Sequence, residues 1–310
     1  MAVRELWNLY AAVETSYGSE ATISGSDVIE VFEVSVKPAH SVLEKTPNPQ
    51  YLNEVGDIIE GKRWLELSFK TYLKGAGTNQ APVVGRFLQA AGFNESVDDV
   101  SGHAEYTPIN TSESLTIIAQ ADNGYELKGV GCIVKSFSIV GAVGDFLIAQ
   151  FDVVGLFSSE SATVTSLTPS YEDSSPLIVK GGTLGTGLAD KYWKNLEIAV
   201  DNTQYEQPDA SDDYGINAFI ITGRRITGSF DPEVMSDTIL YPGDLISGFS
   251  ISLGEIEADN KVTITGANVK VADARDISGD NRVLRFSIPL IFLPSSGNDE
   301  LNIKFEWTVS

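Results

Sequence analysis

A chain of 310 residues with 43 acidic and 21 basic side chains, net charge −22, is unsuited to binding nucleic-acid phosphates, which needs Lys and Arg to replace counterions. Its 42% apolar content supplies packed cores and excludes a disordered chain, and no apolar run reaches the roughly 18 residues of a membrane helix. The single cysteine, Cys132, excludes an internal disulfide and suits assembly in a reducing cytoplasm; Met1–Trp7 lacks the apolar run of a secretory signal.

Strand patterns dominate from the start. Phe32-Glu33-Val34-Ser35-Val36 precedes a long polar excursion, residues 37–57, with Pro38, Pro47, Pro49 and Tyr51. Over 63–73, Leu65, Leu67, Phe69, Thr71 and Leu73 alternate with Trp64, Glu66, Ser68, Lys70 and Tyr72, the period of a half-buried strand. Val83, Val84, Phe87, Leu88 and Ala91 fall on one helical stripe. Thr78 or Asn79 suits the cap, Pro82 the first turn and Gly92 the stop, so a helix is predicted near 81–91.

Strands follow at 113–120, 124–139 and 145–157. Residues 158–190 read as a connection, with a glycine-rich stretch from Gly181 to Gly187 taken as flexible linker. Beyond it, 194–200 reads as a strand, then a second polar excursion over 201–214 carries Tyr205, Pro208, Asp209, Asp212 and Asp213. Strands are predicted at 216–227, 245–254, 261–271, 282–293 and 301–307; Pro289 argues for an edge or a bulge in its strand. Asp273–Asp280 reads as a solvated hairpin loop.

No constellation of catalytic type is present. His40 and His103 have no serine elbow or second ligand near them, and one cysteine cannot build a zinc site. Cys132, in the middle of a predicted strand, reads as a small core residue, and Trp193 and Trp307 as core or interface aromatics. No enzyme, cofactor or metal is expected.

The chain repeats itself. Ala121-Asp122-Asn123-Gly124 returns 137 residues later as Ala258-Asp259-Asn260-Lys261, and the same spacing carries Leu147 onto Leu284 and Leu156 onto Leu293. Upstream, Gly61-Lys62-Arg63 through Phe69 matches Gly223-Arg224-Arg225 through Phe230 with one residue missing, and Phe32–Val36 matches Leu196–Val200. Matches in the same order predict two copies of one fold. The copies span 1–158 and 191–310, joined by a 159–190 linker, and each retains one long excursion at the same place. Loops of that length in compact domains are usually functional.

Leu196–Asn202, a polar loop, then Ile220-Ile221-Thr222-Gly223-Arg224-Arg225-Ile226-Thr227-Gly228-Ser229 resembles the major tail tube proteins of long-tailed (siphovirus-like) phages. Gly61-Lys62-Arg63 and the helix near 81–91 fit as well. The resemblance implies an all-β fold with a minor helix, here as two tandem tail-tube-like β-sandwich or barrel domains. It implies a virion protein of the tail, assembled in the host cytoplasm and polymerised as stacked rings around a channel through which DNA passes without specific binding. With two copies per chain it implies homotrimeric, pseudo-hexameric rings in preference to hexamers. Its partners would then be itself and the tape-measure and tail terminator or tip proteins. Pro47, Pro49, Tyr51, Tyr205, Pro208 and Asp212, in the two excursions, are the expected contacts between rings. A tandem β-sandwich module binding glycans or a surface is the alternative on sequence grounds.

Overall fold

The computed structural model describes residues 7–46, 54–75, 77, 80–122, 124–185, 192–233, 240–246, 248–255, 260–280 and 283–309. Among them the first half holds β1 (Trp7–Val13), β2 (Val28–Ile29), β3 (Phe32–Lys45), β4 (Asp57–Tyr72), α1 (Val84–Ala90), β5 (Phe93–Asp98), β6 (His103–Pro108), β7 (Leu115–Ala121), β8 (Glu126–Ala142) and β9 (Ile148–Ser161). The remainder holds β10 (Thr183–Leu184), β11 (Trp193–Pro208), β12 (Ile216–Pro232), β13 (Leu245–Ile246), β14 (Phe249–Glu255), β15 (Asn260–Gly266), β16 (Asn268–Val271), β17 (Asp276–Asp280), β18 (Val283–Leu293) and β19 (Asn302–Glu306). The fold is all-β with one short helix, in sandwich-like layers.

The larger, 13-stranded sheet contains a run β3-β4-β9-β8-β11-β12-β18, with β16 and β17 both on the far edge of β18. β8 is long enough to serve three neighbours. Its N-terminal part pairs with β7 and its C-terminal part with β11 on one edge, while β9 runs along the other. The 6-stranded sheet mixes the halves: β5 and β6 continue through β19 into β15, β14 and β10. Both sheets therefore cross the middle of the chain.

The two halves share a register. In β4 and β9, Leu65 pairs with Gly155, Leu67 with Val153 and Phe69 with Phe151. In β12 and β18, Ile226 pairs with Phe292, Gly228 with Leu290 and Phe230 with Ile288, and the 137-residue spacing of the sequence repeat carries each β9 residue onto its β18 counterpart. The two long hairpins agree too, with Val36 falling on Ile198 by its ladder, two residues from the sequence match of Val36 with Val200. Val42–Glu60, Leu43–Ile59 and Glu44–Ile58 in β3/β4 answer to Gln204–Ile221, Tyr205–Ile220 and Glu206–Phe219 in β11/β12. Each set follows a register shift, between His40 and Val42 or between Thr203 and Gln204.

Alternation decides what is buried. Leu65, Leu67 and Phe69 enter the core, whereas Trp64, Glu66 and Ser68 face outward. α1 touches both sheets, and Phe87 packs on Phe69 and Phe151 with ring centroids 4.9 and 5.5 Å apart. The helix is shorter than the 81–91 predicted: Pro82 lies before it and Gly92, at φ 86°, ends it. Thr78 and Asn79, the predicted caps, lie outside the described residues. Gly85 is required by packing, since a Cβ there would sit 1.8 Å from the Tyr106 hydroxyl.

Several expectations are corrected. The excursions at 37–57 and 201–214 contain strand among their described residues: β3 runs on to Lys45, β4 starts at Asp57 and β11 reaches Pro208. Residues 261–271 are two strands, β15 in the smaller sheet and β16 in the larger, because the chain changes sheet at Ala267. Residues 245–254 divide in the same way into β13 and β14. Asp276–Asp280 forms β17 rather than loop. β18 is flanked on both edges, and Pro289 falls where its ladder passes from β16 to β17. The connection is anchored: Leu177 and Val179 are core residues, and the Gly185 amide donates to the Ser250 carbonyl at 2.7 Å. The flexible-linker reading thus fails through Gly185; Thr186 and Gly187 lie outside the described residues.

Candidate assembly surfaces

The β11/β12 hairpin is held at its base by two side chains. Asn202 is buried and donates from Nδ2 to the carbonyls of Ala91 and Val134, both at 3.0 Å. Arg224 donates to Glu300 at 2.8 and 3.0 Å, to the Gly92 carbonyl at 3.0 Å and to that of Ile109 at 3.2 Å. Past this base the arm folds over the outward face of β4, β8 and β9. Ile216 and Phe219 bury against Ile133 and Val154, with Trp64, Leu156 and Ile221 packed around them.

Polar contacts fix the arm in that position. The Phe219 amide donates to the Tyr17 hydroxyl at 2.7 Å, and the Arg63 amide to the Tyr214 carbonyl at 3.3 Å. Lys62 forms an ion pair with Glu206. The Arg63 guanidinium lies 4.9 Å from the centroid of the Phe157 ring. Toward the arm's base a cleft of about 590 Å³ stays open, lined by Ser35, Lys37, Lys135, Asp152 and Gln204 among others.

The β3/β4 hairpin is an equivalent arm that lacks an equivalent contact among the described residues. Ile58, which occupies the position of Phe219, is 64% exposed, against 4% for Phe219. Val42 on the same face is exposed as well. Glu60 on that face is held by Arg63 through two hydrogen bonds of 2.7 and 2.9 Å. The opposite face carries Leu43 and Ile59, also exposed; its counterparts in the second arm, Tyr205 and Ile220, are exposed too. Each arm therefore has a free apolar pair on one face, and the arms differ on the other.

Of the residues singled out from sequence, the structure gathers three on the second arm. Tyr205 is on its free face and Pro208 ends β11, both exposed. Asp212 shapes the tip, its Oδ1 accepting the Tyr214 amide at 2.8 Å and its carbonyl the Gly215 amide at 3.1 Å. Pro47, Pro49 and Tyr51 lie outside the described residues. Val42, Leu43, Ile58, Ile59, Phe219 and Ile220 were not legible as contacts. The doublets Val42-Leu43 and Ile58-Ile59 were the available signal, because adjacent apolar residues on a strand cannot both face one core.

Elsewhere the outward face of the large sheet carries polar Ser35, Glu66, Ser68, Gln150, Asp152 and Glu197, with an apolar row of Tyr72, Ile148 and Val140 at one end. Cys132 is fully buried on β8; burial first, then the nearby Glu14 carboxylate, pushes its thiol far up. His40 is on β3 rather than in a loop, exposed, and His103 opens β6. Among the described residues no cluster of His, Cys, Asp and Glu could hold a metal, and no helix is long and apolar enough to cross a membrane.

Two arms on a shared sheet, open strand edges and a largely polar face suit a subunit built for contact with its own kind. No curated protein matches the chain. A family model described as phage tail tube protein matches residues 8–308, nearly the whole length and both halves. On that match the chain belongs to the phage tail tube protein family, structural proteins of the virion tail.

Proposed function

We propose that the chain polymerises as stacked rings around a channel that passes phage DNA, three chains per ring, each supplying two of six equivalent positions. The observation that carries this is the common register of β4/β9 with β12/β18 and of the two arms, which supports a tandem duplication of one tube unit, about 1–158 and 191–310 around a 159–190 connection. Head-to-tail contacts that close make rings. The free apolar pairs, Leu43 with Ile59 and Tyr205 with Ile220, are present in both arms and suit the ring-to-ring contact, six to a ring. Pro208 and Asp212 border the second pair; Pro47, Pro49 and Tyr51, outside the described residues, are proposed as contacts from the sequence alone.

The largely polar outward face of the large sheet, in a chain of net charge −22, suits the channel wall, because contact of DNA with a chain short of cations gains little from counterion release. Assembly takes place in the host cytoplasm, and tape-measure and terminator or tip proteins set the length and ends of the tube. Light scattering and negative-stain microscopy of the purified chain test the reading. Tubes, or rings of three chains with six lobes, are the expected result. Rings of six chains would keep the tube and remove the pseudo-hexamer; monomers at high concentration would count against both. Tyr205→Ser with Ile220→Ser should leave single rings that do not stack.

A further inference from the structure

Resting on that tube reading, we propose that the first arm docks on the second half of a neighbouring copy as the second arm docks on the first half of its own chain. The occupant of this surface is a second copy of this chain. The contact within the chain serves as the template. Phe219 and Glu206 of the second arm lie on the outward face of β4, β8 and β9. Their register equivalents in the first arm are Ile58 and Glu44, both exposed and without such a surface among the described residues.

The receiving surface is defined by the same equivalence. Val154 and Leu156 on β9 correspond to Ile291 and Leu293 on β18, and Ile133 on β8 to Lys270 on β16. Trp64 on β4 corresponds in register to Arg225 on β12. Ile291 is only half-buried, whereas its equivalent Val154 beneath the second arm is buried; Leu293 and Leu156 are both half-buried. Among the described residues no arm covers Ile291 and Leu293 as the second arm covers β9.

Charge agrees with this placement. In a protein of net charge −22 the receiving face carries Arg225 and Lys270, and neither forms an ion pair among the described residues. The arm brings Glu44 and Glu60. Within the chain the polarity is similar, acidic Glu206 on the arm and Lys62 beneath it. The run of strands also has the right ends. Among the described residues β3 pairs only with β4 and β17 only with β18, which leaves one edge of each open. Transferring the β11–β8 register brings Ser35 opposite Ile277 and Val36 opposite Asp276 of the neighbour.

Cysteine pairing in the full-length chain tests this. Ile58→Cys combined with Ile291→Cys should give a ladder of covalent dimers and trimers on non-reducing gels under mild oxidation. Phe219→Cys with Val154→Cys should close within the monomer, and Cys132, fully buried, stays out of the exchange. Glu44→Arg should raise the concentration at which assemblies appear by about tenfold, 1.4 kcal/mol, and Arg225→Glu in the same chain should restore it. Both substitutions are at exposed residues, and an unchanged melting temperature checks that the chain still folds. Tubes that form without a ladder overturn the docking and leave the tube reading intact. If the unmodified chain forms neither rings nor tubes, both fail.

Discussion

Glu14 is among the few charged groups in the interior, and its surroundings explain why it is tolerated. Its carboxylate accepts from the Gly18 amide at 2.8 Å, the Ser114 hydroxyl at 2.6 Å, the Thr116 hydroxyl at 2.9 Å and the Gly131 amide at 2.9 Å. It thereby joins the end of β1 to β7 and β8. Glu14→Ala leaves four donors without an acceptor and should lower unfolding free energy by about 2–4 kcal/mol, read from the urea midpoint. Asp27 offers a test in pH. Burial pushes its carboxyl up, but the amide and hydroxyl of Ser24, at 2.6 and 2.8 Å, and Arg86, at 2.8 Å, outweigh burial and hold it below its ordinary 3.8. The stability it contributes is present above that ordinary value and lost as pH falls through the lower folded one. Asp27→Asn should therefore destabilise the protein at pH 7 by about 1–2 kcal/mol and by much less near pH 2, measured by denaturant melts at both. Sequence gave Cys132 its place correctly, because a lone small apolar residue in a strand-period segment has one plausible environment. It did not give Glu14 a role, because three of its four partners, Ser114, Thr116 and Gly131, are a hundred residues or more away.

At the scale of elements, the arms show where pattern reading stops. Strand alternation is legible when one face meets a core, as over 63–73. The distal parts of β3 and β4 have no core of their own on either face, so Ser41 to Lys45 carries Val and Leu side by side among polar residues and looks like loop. The second arm hides its pattern for another reason: Phe219 and Ile216 are satisfied by β8 and β9, far away in sequence. Phe219→Ala should cost about 3–5 kcal/mol and free that arm. Hydrogen exchange should then show faster amide exchange along Gln204–Phe219 and unchanged protection in β15 and β19. The helix was readable because its stripe and its Gly92 stop are local, while its start was misplaced by a few residues for want of a side-chain cap.

Across the whole molecule, sequence suggested two similar halves but not the pairing that joins them. β6 bonding to β19 joins residues near 105 to the C-terminus, and nothing local in either strand announces the other. The same holds for β11 on β8. Because both sheets cross the middle of the chain, we expect a single cooperative unfolding transition in calorimetry, with the calorimetric and van't Hoff enthalpies equal, rather than one for each half. Removing residues 302–310 should lower that transition as a whole, since it strips a central strand from the smaller sheet and uncovers the β6 and β15 edges.

β8 gives the molecule a mechanical property. It is bonded along both edges, to β9 throughout and to β7 and then β11 on the other side, and it lies across the junction of the halves. A pull along its axis loads these ladders in shear, so many hydrogen bonds must break together instead of opening one after another like a zip. Under tension the seam between the halves should therefore be among the last parts to part, and rupture should begin at the short, edge-bound strands such as β2, β10 and β13.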